Sequence, residues 1–454
     1  MDKFTVAEAV RAVNGTLCAN SDMNSEEIQS VSIDTRKTET GALFVPIIGG
    51  RFDGHSFIAQ AFEKGAILTL SQIAVDFPHI RVENTEQAFL DLAEFYRLRL
   101  PTKLIAVTGR VGKTTTKEMI HATLAKGLSV QKSAGNLNNQ TGVPQTIFTI
   151  DSSHDAAVVE MGTNHFGEIA RIAKAGRPDI CVFTNIGDAH IEFLGSRKGV
   201  LKAKCEMLEF MRDGGSIFAN GDDELLKTLK AERNDVTTYG IDPSNDIYAS
   251  DIESLGLDGA CFAINYSGNA IEARITAPGR HMIQNALASF GVALEMGLSP
   301  ETAVAGLLDY KPVFGRMCIE HCGALTLLND MYNANPSSMK ASIDTLCYAS
   351  GRKVAILGDM LELGADSPAY HAEIGAYAAR AGVDCIIASG PESSALYASA
   401  KSLHGDTHYF PAKDELIKAL PLLLRRGDSI LVKASRGLEF ERIADAVKAL
   451  SSSL

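Results

Sequence analysis

The chain has 454 residues, which argues for two to four domains rather than one. Hydrophobic residues make up 46% and charged residues 22%, the balance of a soluble globular protein with a sizeable core. Lys and Arg number 43 against 55 Asp and Glu; the resulting charge of −12 argues against a protein that wraps nucleic acid by neutralising its phosphates. A small phosphorylated ligand is still within reach, because a cradle of backbone amides and one lysine needs no global positive charge.

The start, Met1 to Glu8, lacks the basic flank and apolar core of a secretion signal. Thr5 and Glu8 have the spacing of a helix capping box. A helical stretch is expected over Glu86 to Leu100, broken by Pro101. From there the pattern becomes short apolar runs separated by helical segments: Leu104–Val107, Ala156–Val159, Ile180–Phe183 and Ser216–Ala219. Such runs predict strands buried on both faces of a largely parallel sheet. Residues 260 to 276 alternate like a hairpin, and a helix is expected from Met282 to Gly297. A second α/β block begins near Gly315, with apolar runs at Leu325–Leu328, Val354–Leu357, Cys385–Ala388 and Ser429–Val432. The segment from Gln72 to Asn84 carries no recognisable motif. No uninterrupted apolar run is long enough to cross a bilayer, and scattered cysteines suit a reducing cytoplasm. Cys318 and Cys322, four apart without a second pair nearby, read as a plain strand or loop rather than a zinc site.

The strongest chemical signal is Thr108-Gly109-Arg110-Val111-Gly112-Lys113-Thr114-Thr115-Thr116, between the run Leu104–Val107 and a helix expected over Thr114 to Ala125. Glycines let the backbone turn tightly and aim its N–H groups inward, and the new helix offers its positive end to phosphate. Lys113 supplies a point charge to the outer phosphates and Thr114 a hydroxyl for magnesium. Val107 stands where the usual phosphate loop has its first glycine. Arg110 is unusual here, and the sequence leaves open whether it meets a phosphate or solvent. Two further apolar runs end in Glu160 and in Thr184-Asn185-Ile186-Gly187-Asp188-Ala189-His190. In a parallel sheet, ligands gather beyond the carboxyl ends of the strands, so Glu160 is placed to meet the magnesium on Thr114. His190 competes with Asp188 for a second position, since magnesium prefers oxygen. Lys202 and Lys204, taken alone, read as solvated helix charges.

These motifs together resemble the Mur ligases, cytoplasmic enzymes that build the stem peptide of peptidoglycan. The resemblance rests on the loop at 108 to 115, on Gly135-Asn136-Leu137-Asn138-Asn139, and on Glu160-Met161-Gly162-Thr163-Asn164-His165-Phe166-Gly167-Glu168. It extends to Asp330-Met331-Tyr332-Asn333-Ala334-Asn335-Pro336, to Val432-Lys433-Ala434-Ser435-Arg436, and to Ser32–Arg36 with Gly49–His55, so it runs over essentially the whole chain. It implies an α/β fold of three domains. Residues 1–100 would hold a UDP-sugar substrate, 101–314 would be a central parallel-sheet P-loop ATPase, and 315–454 a Rossmann-like domain for incoming D-alanyl-D-alanine. The implied activity is an ADP-forming ligase that uses ATP and Mg²⁺ to join D-alanyl-D-alanine to UDP-N-acetylmuramoyl-tripeptide through an acyl phosphate. The rival readings are another Mur-type or folylpolyglutamate-type amide ligase, and a P-loop nucleotide switch.

The resemblance also assigns residues. Thr108, Gly109, Arg110, Val111, Gly112, Lys113, Thr114 and Thr115 would hold the nucleotide phosphates, and Asn285, Arg316, Asp330 and Tyr332 would close on the nucleotide. Lys113, Glu160, His190 and Lys204 would be catalytic, with Thr114, Glu160, His190 and Lys204 around the metals. Lys204 falls where several relatives carry a carbamylated lysine. Substrate contacts would come from Thr35, Arg36, Arg51, Asp53, His55, Asn138, Asn139, Asn164, His165, Lys433, Ser435 and Arg436. A cytoplasmic monomer with neither a nucleic-acid partner nor a transmembrane segment is expected. Arg110 replaces the small residue usual in the loop, Met282 an Asn that often follows the His, and Met331 a common Ser.

Overall fold

The apolar runs of the middle segment become adjacent strands. In sheet order these are Ala156–Glu160, Lys103–Thr108, Ile180–Phe183 and Ser216–Asn220, flanked by Val130–Lys132 on one side and Val236–Gly240 on the other, which the sequence reading did not single out, all parallel. Leu104 to Val107 and Ala156 to Val159 are completely buried, which is why each reads as an unbroken apolar run instead of an alternation. Lys103–Thr108 lies between Ala156–Glu160 and Ile180–Phe183, so the chain leaves it on one side and later returns on the other. That reversal opens a crevice at the carboxyl ends of these strands, where α/β sheets bind ligands.

The computed structural model describes residues 1–50, 52–187 and 191–451, and it divides into two units: Met1–Tyr248 with Leu287–Gly306, and Ala249–Ala286 with Leu307–Leu454. In the first unit, the N-terminal hundred residues add a five-stranded sheet in the order Thr16–Cys18, His79–Arg81, Ala66–Ser71, Ala42–Phe44, Ser30–Ser32, parallel except at its first pair. The expected capping box forms: the Glu8 amide donates to Thr5 Oγ1 (3.3 Å) and the Thr5 amide to Glu8 Oε2 (2.7 Å), starting the helix Val6–Ala12. Thr5→Ala removes one of these bonds and should cost about 1 kcal/mol in a urea denaturation series.

The helix Thr85–Arg99 starts at Asn84, whose side chain accepts from the Gln87 amide, and it ends ahead of Pro101. Its last turns are anchored elsewhere in the same unit. Tyr96 accepts from the Asp2 amide (2.7 Å) and donates to the Ile150 carbonyl (2.6 Å). The buried guanidinium of Arg97 meets Asp179 at 2.7 Å. In the segment without a sequence motif, Gln72 Oε1 accepts from both the Thr85 amide and hydroxyl, and His79–Arg81 forms a strand.

The second unit contains the expected hairpin, Ala260–Tyr266 against Asn269–Ile275, turning at Ser267 and Gly268, both with positive φ. Its six-stranded sheet runs Cys318–Cys322, Leu325–Asn329, Ser429–Lys433, Lys353–Gly358, Cys385–Ser389, Thr407–Phe410, again parallel except at its first pair. Cys318 to Cys322 is thus the plain strand expected, and all eight cysteines are free. Among the described residues no helix is long and apolar enough to cross a membrane.

Candidate active site

The central strand ends at Thr108 and the chain turns through Gly109 to Gly112 into the helix Lys113–Leu124. Gly109 adopts a φ of 153°, and any Cβ there would collide with the Thr184 hydroxyl. Gly112 has a φ of 85° and begins the helix with no side-chain cap, which leaves the first-turn amides facing outward. Strand-end residues grip the turn: Thr184 Oγ1 (2.7 Å) and Asn185 Nδ2 (2.8 Å) donate to the Val111 carbonyl. In return Asn185 Oδ1 accepts from the amides of Arg110 (3.2 Å) and Val111 (2.9 Å). Lys113 Nζ folds back on the Gly109 carbonyl at 3.0 Å. The Thr108 hydroxyl is buried without a hydrogen-bond partner.

One strand over, Glu160 accepts from Thr114 Oγ1 (2.6 Å) and from Asn138 Nδ2 (2.8 Å), while its own amide donates to Ser133 Oγ. Glu160 is 2% exposed, so its charge must be met locally; a hydroxyl and a carboxylate this close are the hard-oxygen pair that a magnesium ion takes. The donor set therefore fits magnesium, and the uncapped helix start fits phosphate.

Lys204 lies on the helix Arg197–Cys205 with its Nζ 3.2 Å from the Gly109 carbonyl and only 4% exposed. The solvated-charge expectation fails for it, although Lys202 on the same helix lies over the Phe166 ring. Burial first, then the neighbouring Lys113 and Arg110 charges, bring the Lys204 ammonium down to about 7.

A cavity of about 380 Å³ gathers much of this: Gly109, Arg110, Lys113, Asn138, Asn139, Asn164 and Lys204 line it, with Glu86, Gln140, Thr141 and Glu168. Other expected residues lie elsewhere in the first unit. Thr35 donates to Gln60, Arg36 pairs with Asp34, and His55 pairs with Asp53; none of these lines the cavity. His165 is exposed and pairs with Glu168. Arg51 and His190, like Asp188, lie outside the described residues.

In the second unit, Lys433 is buried and holds Asp330 at 2.6 Å, while Asp330 Oδ1 accepts from the Met317 amide. Tyr332 carries the guanidinium of Arg316 at 3.9 Å from its ring centroid and that of Arg436 at 4.9 Å. Ser435 Oγ accepts from the Leu361 amide. Asn285 is buried, with Nδ2 near Met282 Sδ.

Sequence reasoning passed over Ser133, Lys117 and Asn185. Lys117 is fully buried, donates to the Ser133 carbonyl at 2.7 Å and pairs with Glu118. These residues shape the site by bonding backbone, which leaves no spacing signature. The position of Asn185 at the end of an apolar run was the one available hint.

A parallel sheet whose central strand runs into a glycine turn, then a lysine and a threonine set beside a carboxylate, defines a P-loop nucleotide-binding protein. Three family models match within it: the Mur ligase family, catalytic domain, over residues 27–131; the Mur ligase middle domain over 107–293; and the Mur ligase, glutamate ligase domain over 315–436. The chain is 38% identical to the UDP-N-acetylmuramoyl-tripeptide–D-alanyl-D-alanine ligase of Bacillus subtilis, covering 98% of each chain. Its structure resembles that of MurF from Acinetobacter baumannii (TM-score 0.91, 30% identity, 99% of each chain) and that of the MurF ligase from Thermotoga maritima in complex with ADP (TM-score 0.84, 25% identity, 94% of this chain and 98% of that one). The chain belongs to the Mur ligase family.

Proposed function

We propose that this chain is an ATP- and Mg²⁺-dependent ligase that joins D-alanyl-D-alanine to UDP-N-acetylmuramoyl-tripeptide, releasing ADP and phosphate and giving the pentapeptide precursor of peptidoglycan. The observation that carries this reading is the Thr114–Glu160–Asn138 chain beside the phosphate loop, in a protein matched from end to end by relatives bearing that name. A carboxylate does not acylate an amine at neutral pH because its leaving group is poor, so phosphate must first be placed on it. The tripeptide carboxylate attacks the terminal phosphorus of ATP, and the phosphorus–oxygen bond to ADP breaks with its electron pair. The amine of D-alanyl-D-alanine then adds to the acyl carbon, loses a proton, and phosphate departs.

The chain's own residues serve these steps as follows. Loop amides and Lys113 hold the phosphates, with the Lys113 amine turning from the Gly109 carbonyl to the ligand. Thr114 and Glu160 would hold one magnesium and His190 with Lys204 a second; the ions supply counter-charge to the phosphoryl oxygens. Asn138, Asn139, Asn164 and His165 would face the tripeptide, and Thr35, Arg36, Arg51, Asp53 and His55 its UDP-sugar. Asn285, Arg316, Asp330 and Tyr332 would close on nucleotide, and Lys433, Ser435 and Arg436 would meet substrate. We further infer a cytoplasmic monomer of three domains, 1–100, 101–314 and 315–454; the last boundary is supported by the family match that begins at 315.

A lysine neutral near pH 7 adds carbon dioxide readily, so Lys204 is suited to carriage as a carbamate. Its amine is neutral above about 7 and protonated below. In ¹³C-bicarbonate, a carbamate carbonyl signal should therefore fade as pH falls through that value and be missing in Lys204→Met. The overall reading is tested by mass spectrometry after incubation with ATP, Mg²⁺, the tripeptide precursor and D-alanyl-D-alanine. The pentapeptide and ADP should accumulate together; phosphate release indifferent to both peptides would instead favour a nucleotide switch.

A further inference from the structure

We propose that Cys385, Asp406 and His408 bind a single zinc-class divalent ion at the amino-terminal edge of the six-stranded sheet in the second unit. The site is separate from the phosphate loop, and it stands whether or not the chain is the ligase proposed above.

Strand register assembles the three side chains. Cys385 opens the strand Cys385–Ser389, and Asp406 immediately precedes its parallel neighbour Thr407–Phe410. Ile386 pairs with Thr407 and Ile387 with His408, and the Ile386 amide donates to the Asp406 carbonyl at 3.1 Å. Paired residues of parallel strands share a face, and alternate residues return to it. Cys385, Asp406 and His408 therefore project from one face, and a sulfur, a carboxylate oxygen and an imidazole nitrogen lie within 4.8 Å of one another. Donor atoms around one tetrahedral zinc ion stand roughly 3.5 Å apart, so small side-chain rotations complete the set. The imidazole is already turned inward, its Nε2 2.8 Å from Asp406 Oδ1. Cys385 is fully buried, whereas the side chains of Asp406 and His408 are 38% and 36% exposed, which leaves a way in and a fourth position for water.

The donor chemistry selects the ion. Thiolate with imidazole favours zinc and its neighbours over magnesium, which takes oxygen ligands in near-octahedral geometry. The surrounding charge agrees. Arg352 is divided between two carboxylates, Asp406 Oδ2 (3.0 Å) and Asp428 Oδ2 (2.9 Å), so it does not cancel Asp406 by itself. Asp428 Oδ1 is buried without a hydrogen-bond partner, an acceptor the guanidinium leaves unmet. On binding, the Cys385 thiol proton passes to water, and His408 keeps its own proton on Nδ1 and offers Nε2; no electron is transferred. The ion ties the edge strand Thr407–Phe410 to its neighbour. Lys433 ends its strand at the opposite, carboxyl edge of the sheet, a strand length of roughly 13 Å away, so the expected effect is on stability rather than chemistry.

The test titrates the full chain, stripped with a chelator, with Co²⁺. Cobalt reports a thiolate ligand by a near-ultraviolet charge-transfer band and four-coordination by intense visible bands. One equivalent should bind with both signatures, and Zn²⁺ but not excess Mg²⁺ should bleach them. The band should vanish in Cys385→Ser and persist in Cys322→Ser. In His408→Ala, a change at a half-exposed position that spares the fold should the loss of the buried thiol not, cobalt affinity should fall at least about a hundredfold. Zn²⁺ should raise the melting temperature of the unaltered chain and of neither site variant. Absence of a thiolate band in the unaltered chain, or its survival in Cys385→Ser or at full affinity in His408→Ala, overturns the proposal. Loss of the band in Cys322→Ser would move the ion to Cys318–Cys322 and overturn it equally.

Discussion

Lys113→Ala should reduce ADP formation by about three orders of magnitude or more while leaving the melting temperature almost unchanged. The amine is placed at the mouth of the uncapped helix and is held by the loop carbonyls of Gly109 (3.0 Å) and Arg110 (3.4 Å), contacts that contribute little to folding. A ligand phosphate competes for it on better terms, because a bond from the ammonium to a charged phosphate oxygen outweighs one to a neutral carbonyl. The substitution has a second effect. Lys113 is one of the charges that lower Lys204, so its removal should move the Lys204 ammonium back toward the ordinary lysine range. A coupled ADP assay and a melting scan on the same preparation check the first claim. Turnover near the unaltered level would remove Lys113 from the chemistry.

The other large effect concerns stability. Asp179→Ala should destabilise the first unit by about 3–5 kcal/mol, read as a lower urea midpoint, because it leaves the Arg97 guanidinium buried without its counter-ion. Arg97 is completely buried and also donates to the Gly176 carbonyl at 3.0 Å; Asp179 in turn accepts from the Leu104 amide at 2.9 Å. Burial already pulls Arg97 down to about 10. The pair ties the helix Thr85–Arg99 to the start of the central strand, so its loss loosens the N-terminal segment from the strand that delivers the phosphate loop. Replacing both partners with apolar residues, Arg97→Met with Asp179→Leu, should cost less than Asp179→Ala alone. The reverse order would mean that the pair contributes net attraction beyond its desolvation.

What the sequence disclosed follows from burial. Ala156–Glu160 and Ile180–Phe183 are enclosed on both faces, so their composition alone announced strands, and a polar residue ending such a run, Glu160, announced a site. Val130–Lys132 and Thr407–Phe410 are edge strands carrying Gln131, Lys132, Thr407 and His408, and edge positions tolerate polar residues. The N-terminal strands of two or three residues are too short to show a period. Within the site, Lys113 and Thr114 were legible because the chemistry fixes their spacing. Lys204 was not, since nothing local distinguishes it from Lys202; only the three-dimensional packing drives one inward and leaves the other against Phe166. The resemblance supplied what periodicity lacked.

The grip of Thr184 and Asn185 on the phosphate loop has a thermodynamic corollary. A mould set before its guest arrives demands little further ordering, so nucleotide capture should proceed with a small entropic toll and a rate near that of diffusional encounter. Softening that mould, as Asn185→Ala would, should slow capture without touching any atom of the guest.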